Sequence, residues 1–489
     1  MLLLLPPLTA LLGGLLTPLF SSRRARNVFV LSAVLLSSAL LVITALPGSS
    51  PEFTLLTVLP GFSLSFRVDP VNRIFLLLLA FLWPLSTLYA QEYMAEHESR
   101  EARFFTFFTL SFAVSQLLAL SSGLFSLYVF YECLTLITLP LVTHREDADS
   151  LRAGLTYLKY TIGGAALGFI GLVTLAHFGA AGSFAAGGAL DPELIRGSET
   201  LLRAVWLISF IGFGAKAAIF PLSAWLPRAS VAPTPVTALL HAVAVVNAGV
   251  FACLRLTYDC FGVSLLAGSA AASCAMLLSA FTILFGAVMA VRERHLKRRL
   301  AWSTVYNLAY MLFAVTLMSA AGLRGALTHL VFHGLIKISL FFCAGVFQIR
   351  SGAEYMRQLR GIGRKLPWTA GFFTLSAVAL VGIPPFIGFL SKWAILSAAV
   401  SDAAALSAGS WPIWVSAAAV VLSSVLGCVY LLEPALQMYF LPAAVDLPVR
   451  SDPSWKLLLP LGLLAVCIVV LGVWTAPMNA LLDAAAALY

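Results

Sequence analysis

Charge is what this sequence has least of. Only 10% of its 489 residues are Asp, Glu, Lys or Arg, while 61% are hydrophobic. A soluble domain carries roughly a quarter charged residues, so the balance excludes an ordinary soluble enzyme and indicates a polytopic membrane protein. Cysteine is also sparse. The seven present are scattered through apolar segments without a CxxC pair, which excludes a disulfide framework and a thiolate metal centre and leaves small buried hydrophobes. A Rossmann glycine pattern and a haem motif are missing as well, so no redox cofactor and no catalytic centre of its own is expected. The opening segment, MLLLLPPLTALLGGLLTPLF, lacks a basic n-region and a small-x-small cleavage site and reads as a retained first span.

What is there is a series of apolar runs of about 20 residues. Fourteen spans are expected, centred near Leu11, Leu36, Phe81, Leu110, Phe130, Ile170, Phe210, Val246, Leu278, Met311, Ile336, Val381, Val421 and Leu464. Connections are short, apart from a polar hairpin-like stretch (47–68) and loops near 179–200 and 438–456. No linker divides the chain, so 1–489 reads as one integral-membrane domain.

The net charge of +9 and the run RERHLKRR (Arg292 to Arg299) raise a nucleic-acid reading, which a count by loop removes. Of thirty Lys and Arg, twenty fall in loops after odd-numbered spans: Arg23, Arg24, Arg26, Arg100, Arg103, Arg145, Arg152, Arg228, five in RERHLKRR, five between Arg350 and Lys365, Arg450 and Lys456. Six follow even-numbered spans: Arg67, Arg73, Arg196, Arg203, Arg255 and Arg324. The positive-inside rule then places the odd loops in the cytoplasm and both termini outside, with Lys297 part of the topology signal and no nucleic acid as partner.

The remaining four lysines, Lys159, Lys216, Lys337 and Lys392, lie inside spans, as does one acid, Glu132, and three histidines, His241, His329 and His333. A charge in the bilayer core costs at least ~2.5–3.5 kcal/mol, so these groups are expected to face the bundle interior and to act. His329, His333 and Lys337 recur every fourth residue and share one helix face, about 6 Å of rise apart. Two spans also carry breakers beside a lysine: FGAKAAIFPLSAWLPRASVAPTPVTALLHA around Lys216 and VALVGIPPFIGFLSKWAIL around Lys392. Proline at membrane depth is tolerated where protein or water satisfies the freed backbone groups. The breaks fall in spans seven and twelve. A five-span repeat must invert in the membrane, which is a transporter signature. The expected layout is peripheral helices over 1–103, one repeat over 104–258, its inverted copy over 263–437, and a last helix and tail over 438–489.

YECLTL, WLPRASVAPTPVTALLHAVAVVNAGVF, LKRRLAWSTVYNLAYM, HLVFHGLIKISLFFCAG and PPFIGFLSKW, in order over roughly residues 120–400, resemble the antiporter-like subunits of complex I, Mrp antiporters and energy-converting hydrogenases. VAPTPV and KISLFFCAG lean toward the Mrp D-type and hydrogenase branch. The resemblance implies an all-α membrane fold with fourteen helices and proton half-channels in two inverted repeats. Glu132 matches the glutamate of helix five, Lys216 its partner on broken helix seven, His241 the histidine of helix eight, Lys337 the central lysine of helix eleven, and Lys392 the ionisable residue of broken helix twelve. Asn247 stands where Mrp-like members often have lysine, and the resemblance then implies a link between the halves through His241 and ordered water. With Tyr489 soon after the last span, the lateral helix of the distal complex I subunit is not expected. Implied partners are other membrane subunits and the lipid bilayer of a bacterial or archaeal cytoplasmic membrane, and the implied cargo is H⁺ or Na⁺.

On this reading a Glu132 carboxylate holds Lys216 protonated and its withdrawal releases the proton. Lys337 is then the central site, Lys392 the exit, and the histidines relay between them, their ordinary pKa being about 6.5. Bland readings stand beside these. Glu132 and Lys216 also read as a static ion pair, His329 as a polar group near the interface, and His241 and His333 as interhelical hydrogen bonders. Lys159 reads as a snorkelling side chain. A metal shared by His329 and His333 would find no carboxylate or thiolate nearby on that helix. A self-sufficient secondary transporter for a cation or solute is the alternative function, and a membrane scaffold with vestigial charges a third.

Overall fold

Helices begin where a side chain can take up the first free amides. Ser22 accepts from Ala25, Asp147 from Ser150, Ser269 from Ala272 and Ser319 from Gly322. The computed structural model describes residues 2–46, 51–97, 99–180, 182–405, 409–444 and 451–489. Residues 47–50 of the expected hairpin stretch, parts of the two expected long loops, and Arg450 lie outside the described residues.

The first part of the chain comprises α1 (Leu5–Leu16), α2 (Arg23–Thr44), the antiparallel hairpin β1 (Phe53–Leu59) and β2 (Phe62–Phe66), α3 (Pro70–His97), α4 (Glu101–Leu120), α5 (Leu124–Val142) and α6 (Ala148–His177). Then follow α7 (Glu199–Gly214), α8 (Trp225–Arg228), α9 (Thr234–Ala242), α10 (Val245–Arg255) and α11 (Val263–Leu266). The rest is α12 (Ala270–Arg292), α13 (Leu296–Thr316), α14 (Ala320–Ser351), α15 (Pro367–Val381), α16 (Ile387–Ala405), α17 (Trp411–Phe440), α18 (Trp455–Val473) and α19 (Ala476–Ala486). The hairpin lies within the stretch read as hairpin-like, and each of the fourteen expected span centres falls in a helix.

Eleven helical stretches among the described residues are long and apolar enough to cross a membrane. The other three expected spans fall short for physical reasons. α7 and α15 stop early, at Gly214 and Val381, and α13 opens with Lys297, Arg298 and Arg299, which lower its hydropathy.

Burial sorts the helices by position. α14, at 32 residues and about 48 Å, and the stretch Thr234–Phe261 are buried throughout their most apolar windows. α1, α2, α6 and α18 turn apolar side chains such as Leu36, Leu155, Phe169 and Val466 outward. Large apolar surface on the outside with polar groups sealed inside is what a bilayer solvent selects. The chain is a mostly helical, polytopic integral membrane protein.

Four basic residues assigned to loops are instead buried: Arg26, which pairs with Glu101 (2.5 Å), Lys297, Arg299 and Arg255. Lys297 and Arg299 lie within α13. The Lys297 ammonium donates to the Ala232 carbonyl (3.4 Å), and Arg299 donates to Glu293, Val291 and Tyr430 carbonyls. Arg255 ends α10 in an ion cluster with Asp69 (2.6 Å) and Asp259 (2.8 Å), and Tyr489 donates its hydroxyl to Asp259. The loop count treated these as solvated charges because a basic residue at the end of an apolar run looks the same whether it faces water or a neighbouring helix.

Candidate functional site

α14 carries His329, His333 and Lys337 in the middle of the protein, all buried. The Lys337 ammonium donates to the Leu300 carbonyl (2.9 Å) and to the Ser303 hydroxyl, both on α13. One turn along α13, the Asn307 amide donates to the Ser303 carbonyl (2.6 Å), and this fixes its oxygen toward His329 Nε2 at 3.2 Å. On the other side of the ring, His329 Nδ1 meets the Ser391 hydroxyl at 2.9 Å. The His329 and His333 rings stack with centroids 5.9 Å apart.

These partners let His329 hold or lack a proton without moving a heavy atom. Asn307 Oδ1 can only accept, so Nε2 carries hydrogen in both states. In the neutral ring Nδ1 accepts from Ser391. In the charged ring Nδ1 donates, and the Ser391 hydrogen turns to the Gly388 carbonyl, 3.1 Å away.

Ser391 is followed by Lys392, which is buried in α16. Its ammonium donates to the Leu380 (3.0 Å) and Val381 (2.8 Å) carbonyls at the end of α15. Those carbonyls lack helical partners because the chain turns at Gly382 (φ 93°) and Pro384 and Pro385 cannot continue the ladder. Freed carbonyls at the negative end of a helix dipole make a cation site from neutral groups.

In the first half, α7 stops at Gly214 and Lys216 lies in the irregular turn beyond it, fully buried. Its ammonium donates to the Tyr131 carbonyl and sits 3.4 Å over the Tyr131 ring. Tyr131 anchors the turn by donating to the Phe213 carbonyl (3.0 Å), and Trp225 donates to Ala215 (2.8 Å). Gly249 of α10 makes the packing possible. A Cβ there would lie 2.9 Å from the Lys216 carbonyl carbon and from its Cβ. Glu132, next to Tyr131, is half-buried with Oε1 enclosed and without a hydrogen-bonding partner among the described residues. No direct ion pair joins Glu132 to Lys216 there. They are neighbours through Tyr131.

His241 is next to last in α9, buried, with its ring 4.9 Å from that of Phe341. Both its ring nitrogens, and both of His333, lack partners among the described residues. α9 and α10 are separated by Val243 and Ala244, and Asn247 donates to the Ala242 carbonyl (3.1 Å) that the interruption frees. Gly334 faces the same carbonyl; a Cβ there would come to 3.0 Å of it. α14 therefore touches the α9 end beside both histidines.

Of the residues singled out in the sequence, His329, His333, Lys337 and Lys392 are gathered with α13, Lys216 and Glu132 around Tyr131, and His241 and Asn247 between the two groups. Lys159 stands apart. It is exposed on the outer face of α6, the position of a snorkelling side chain rather than of an interior one. Ser303, Asn307 and Ser391 were missed. Their signal was present as polar residues at i, i+4 in LKRRLAWSTVYNLAYM and as the residue before Lys392. On the basic side, Gln348 donates to Glu354 (2.6 Å) and accepts from Tyr93 (3.2 Å), which accepts from Thr234 (3.2 Å). Glu354, in the loop after α14, lies beside His295, whose hydrogen bond and charge hold its carboxyl down to about 2.

Residues 121–426 match the family model described as NADH:quinone oxidoreductase/Mrp antiporter, transmembrane. Hydrogenase-4 component B of Escherichia coli is 33% identical over 68% of this chain, which spans 50% of that protein's length. NADH-quinone oxidoreductase subunit N of Desulforudis audaxviator is 31% identical over 85% of this chain and 83% of its own. A chain of the membrane-bound sulfane sulfur reductase, an archaeal respiratory membrane complex, superposes with TM-score 0.83 over all of this chain and 96% of that one, at 23% identity.

Proposed function

Because this chain belongs to the NADH:quinone oxidoreductase/Mrp antiporter membrane family, we propose that it is a proton-translocating subunit of a multi-subunit membrane complex. The observation that carries the reading is the buried succession Lys337, Ser303, Asn307, His329, Ser391, Lys392, in which one imidazole satisfies its neighbours in either protonation state. Ammonium, imidazole and hydroxyl groups suit a proton. A sodium ion requires an oxygen cage and is repelled by lysines. Lys337 is the central store and Lys392 the exit, and Lys216 answers to Glu132 on the other side of His241. The half-buried Glu132 suits a switch that a neighbouring subunit can reach.

The finer architecture follows the same reading: fourteen helices, with inverted repeats over 104–258 and 263–437. Support comes from helix ends at Gly214 and Val381, each followed by irregular chain and a buried lysine. Both termini lie outside the cytoplasmic membrane and the Arg-rich loops inside. The test is purification with native partners and reconstitution into liposomes. Co-isolation with other membrane subunits, and loss of coupled proton transport in Lys337→Ala and Glu132→Ala with assembly intact, are expected. Full transport in an assembled Lys337→Ala variant, or flux from the lone chain in liposomes, would overturn the proposal.

A further inference from the structure

Beside the turn that holds Lys216, on its outer flank, α6, α8 and the junction of α12 with α13 enclose a cavity of about 570 Å³ that the transport reading does not use. Its walls carry three arginines from three separate elements: Arg152 on α6, Arg228 at the end of α8 and Arg298 on α13. All three are exposed. Arg228 and Arg298 have no ion pair among the described residues, and Arg152 meets Asp149 only at 3.9 Å on a fully hydrated surface. Glu293, the other acid of the cavity, already accepts from the backbone amides of Arg294 (2.9 Å) and His295 (3.0 Å). Three arginines against Asp149 and Glu293 leave the lining one positive charge in excess.

Val231, Met289 and Trp302 supply apolar lining to the same cavity, and α6 and α12 continue beyond it with outward-turned faces. There Leu155, Ile162, Phe281 and Val288 are exposed. Lys159 lies in this apolar field, three residues beyond the cavity-lining Thr156 and about 4.5 Å further along the helix. A lysine on a lipid-facing surface must carry its ammonium to an anion or to water. The cavity begins less than one helical turn from Lys159, at Thr156.

We propose that this cavity binds the phosphate of an anionic phospholipid, held by Arg152, Arg228 and Arg298 with Lys159 reaching up from below, and with acyl chains against α6 and α12. Basic recesses between helices at the membrane surface take lipid headgroups by this chemistry. A free phosphate would satisfy the arginines but would give neither Lys159 nor the apolar flank a role. Arg228 also belongs to the connection between the α7 break and α9, so an occupant would brace that connection.

The test is native mass spectrometry of the full chain within its purified complex, delipidated and offered phosphatidylglycerol, phosphatidylcholine or inorganic phosphate. Preferential retention of phosphatidylglycerol is expected. Each basic group near a lipid anion is worth about fivefold, so Arg228→Gln with Arg298→Gln should weaken that retention by about 30-fold. Lys159→Gln, which leaves the cavity wall intact, should weaken it by about fivefold. Equal retention of both lipids, retention unchanged in the double variant, or displacement of the lipid by inorganic phosphate would each overturn the proposal.

Discussion

Removing one hydroxyl, in Ser391→Ala, tests the proton line at its most informative joint. The substitution leaves a slightly smaller side chain and touches no charged residue. In the neutral state His329 loses a hydrogen bond accepted at Nδ1. In the charged state it loses the acceptor for an N–H of an imidazolium. Hydrogen bonds to a charged group are worth about 1.5–3 kcal/mol and neutral ones about 0.5–1.5. The charged ring therefore loses about 1–1.5 kcal/mol more than the neutral one, a roughly 5- to 12-fold fall in its population. If the proton passes through His329, coupled proton uptake into liposomes by the assembled complex should slow by a similar factor. Ser391→Thr, which keeps the hydroxyl, should restore most of it. Wild-type pumping by an assembled Ser391→Ala complex would show that the proton does not rest on His329.

Arg255→Met should behave as a stability variant. It leaves the buried Asp259 and the partly buried Asp69 without the cation they share, at a cost of about 3–5 kcal/mol, so the midpoint of thermal unfolding in detergent should fall clearly; an unchanged midpoint refutes the structural role. Asn247→Leu removes the donor to the Ala242 carbonyl, whereas Asn247→Lys can donate to the same oxygen. Transport should be lost in the first and largely kept in the second, and equal activity in both would show that the bond does not matter. Glu354, held down to about 2 by the hydrogen bond and charge of His295, is lowered from an ordinary 4.5. Its stabilising contribution is thus present above about 4.5 and disappears only as pH falls toward 2. Difference infrared spectra at pH 4 should show no protonated carboxyl band that vanishes in Glu354→Gln; finding one refutes the assignment.

The apolar runs, the breakers at Pro221 and Pro384, and the ladder His329, His333, Lys337 were legible because each rests on local pattern: run length, backbone chemistry, and a four-residue period. What joins them was not. Ser303, Asn307 and Ser391 are small polar residues of ordinary composition, and only the tertiary approach of α13 and α16 to α14 makes them partners of Lys337 and His329. Arg255 and Lys159 show what an apolar run leaves open. A basic residue at the end of a run reads as solvated yet is buried against two carboxylates, while Lys159, within a run, reads either as interior or as snorkelling, and it faces out. Hydropathy gives depth along a span but not the side of the helix, and α6 turns one apolar face to lipid with Lys159 on it.

The buried cations fall into two physical kinds, and the difference separates scaffold from pathway. Arg255 is a permanent charge, since a guanidinium does not lose its proton, and it is matched by two carboxylates that would be stranded without it. Lys216, Lys337 and Lys392 are held instead by neutral dipoles: the Tyr131 carbonyl and ring, the Leu300 carbonyl with the Ser303 hydroxyl, and the Leu380 and Val381 carbonyls. A neutral amine still has two hydrogens to donate to such acceptors, and beside Lys337 and Lys392 its deprotonation strands no opposite charge. Both protonation states of these two lysines are therefore compatible with one packing, while Lys216 has Glu132 as a neighbour to answer to. The helix breaks supply these sites, because a helix that ran on past Val381 would keep its carbonyls for itself.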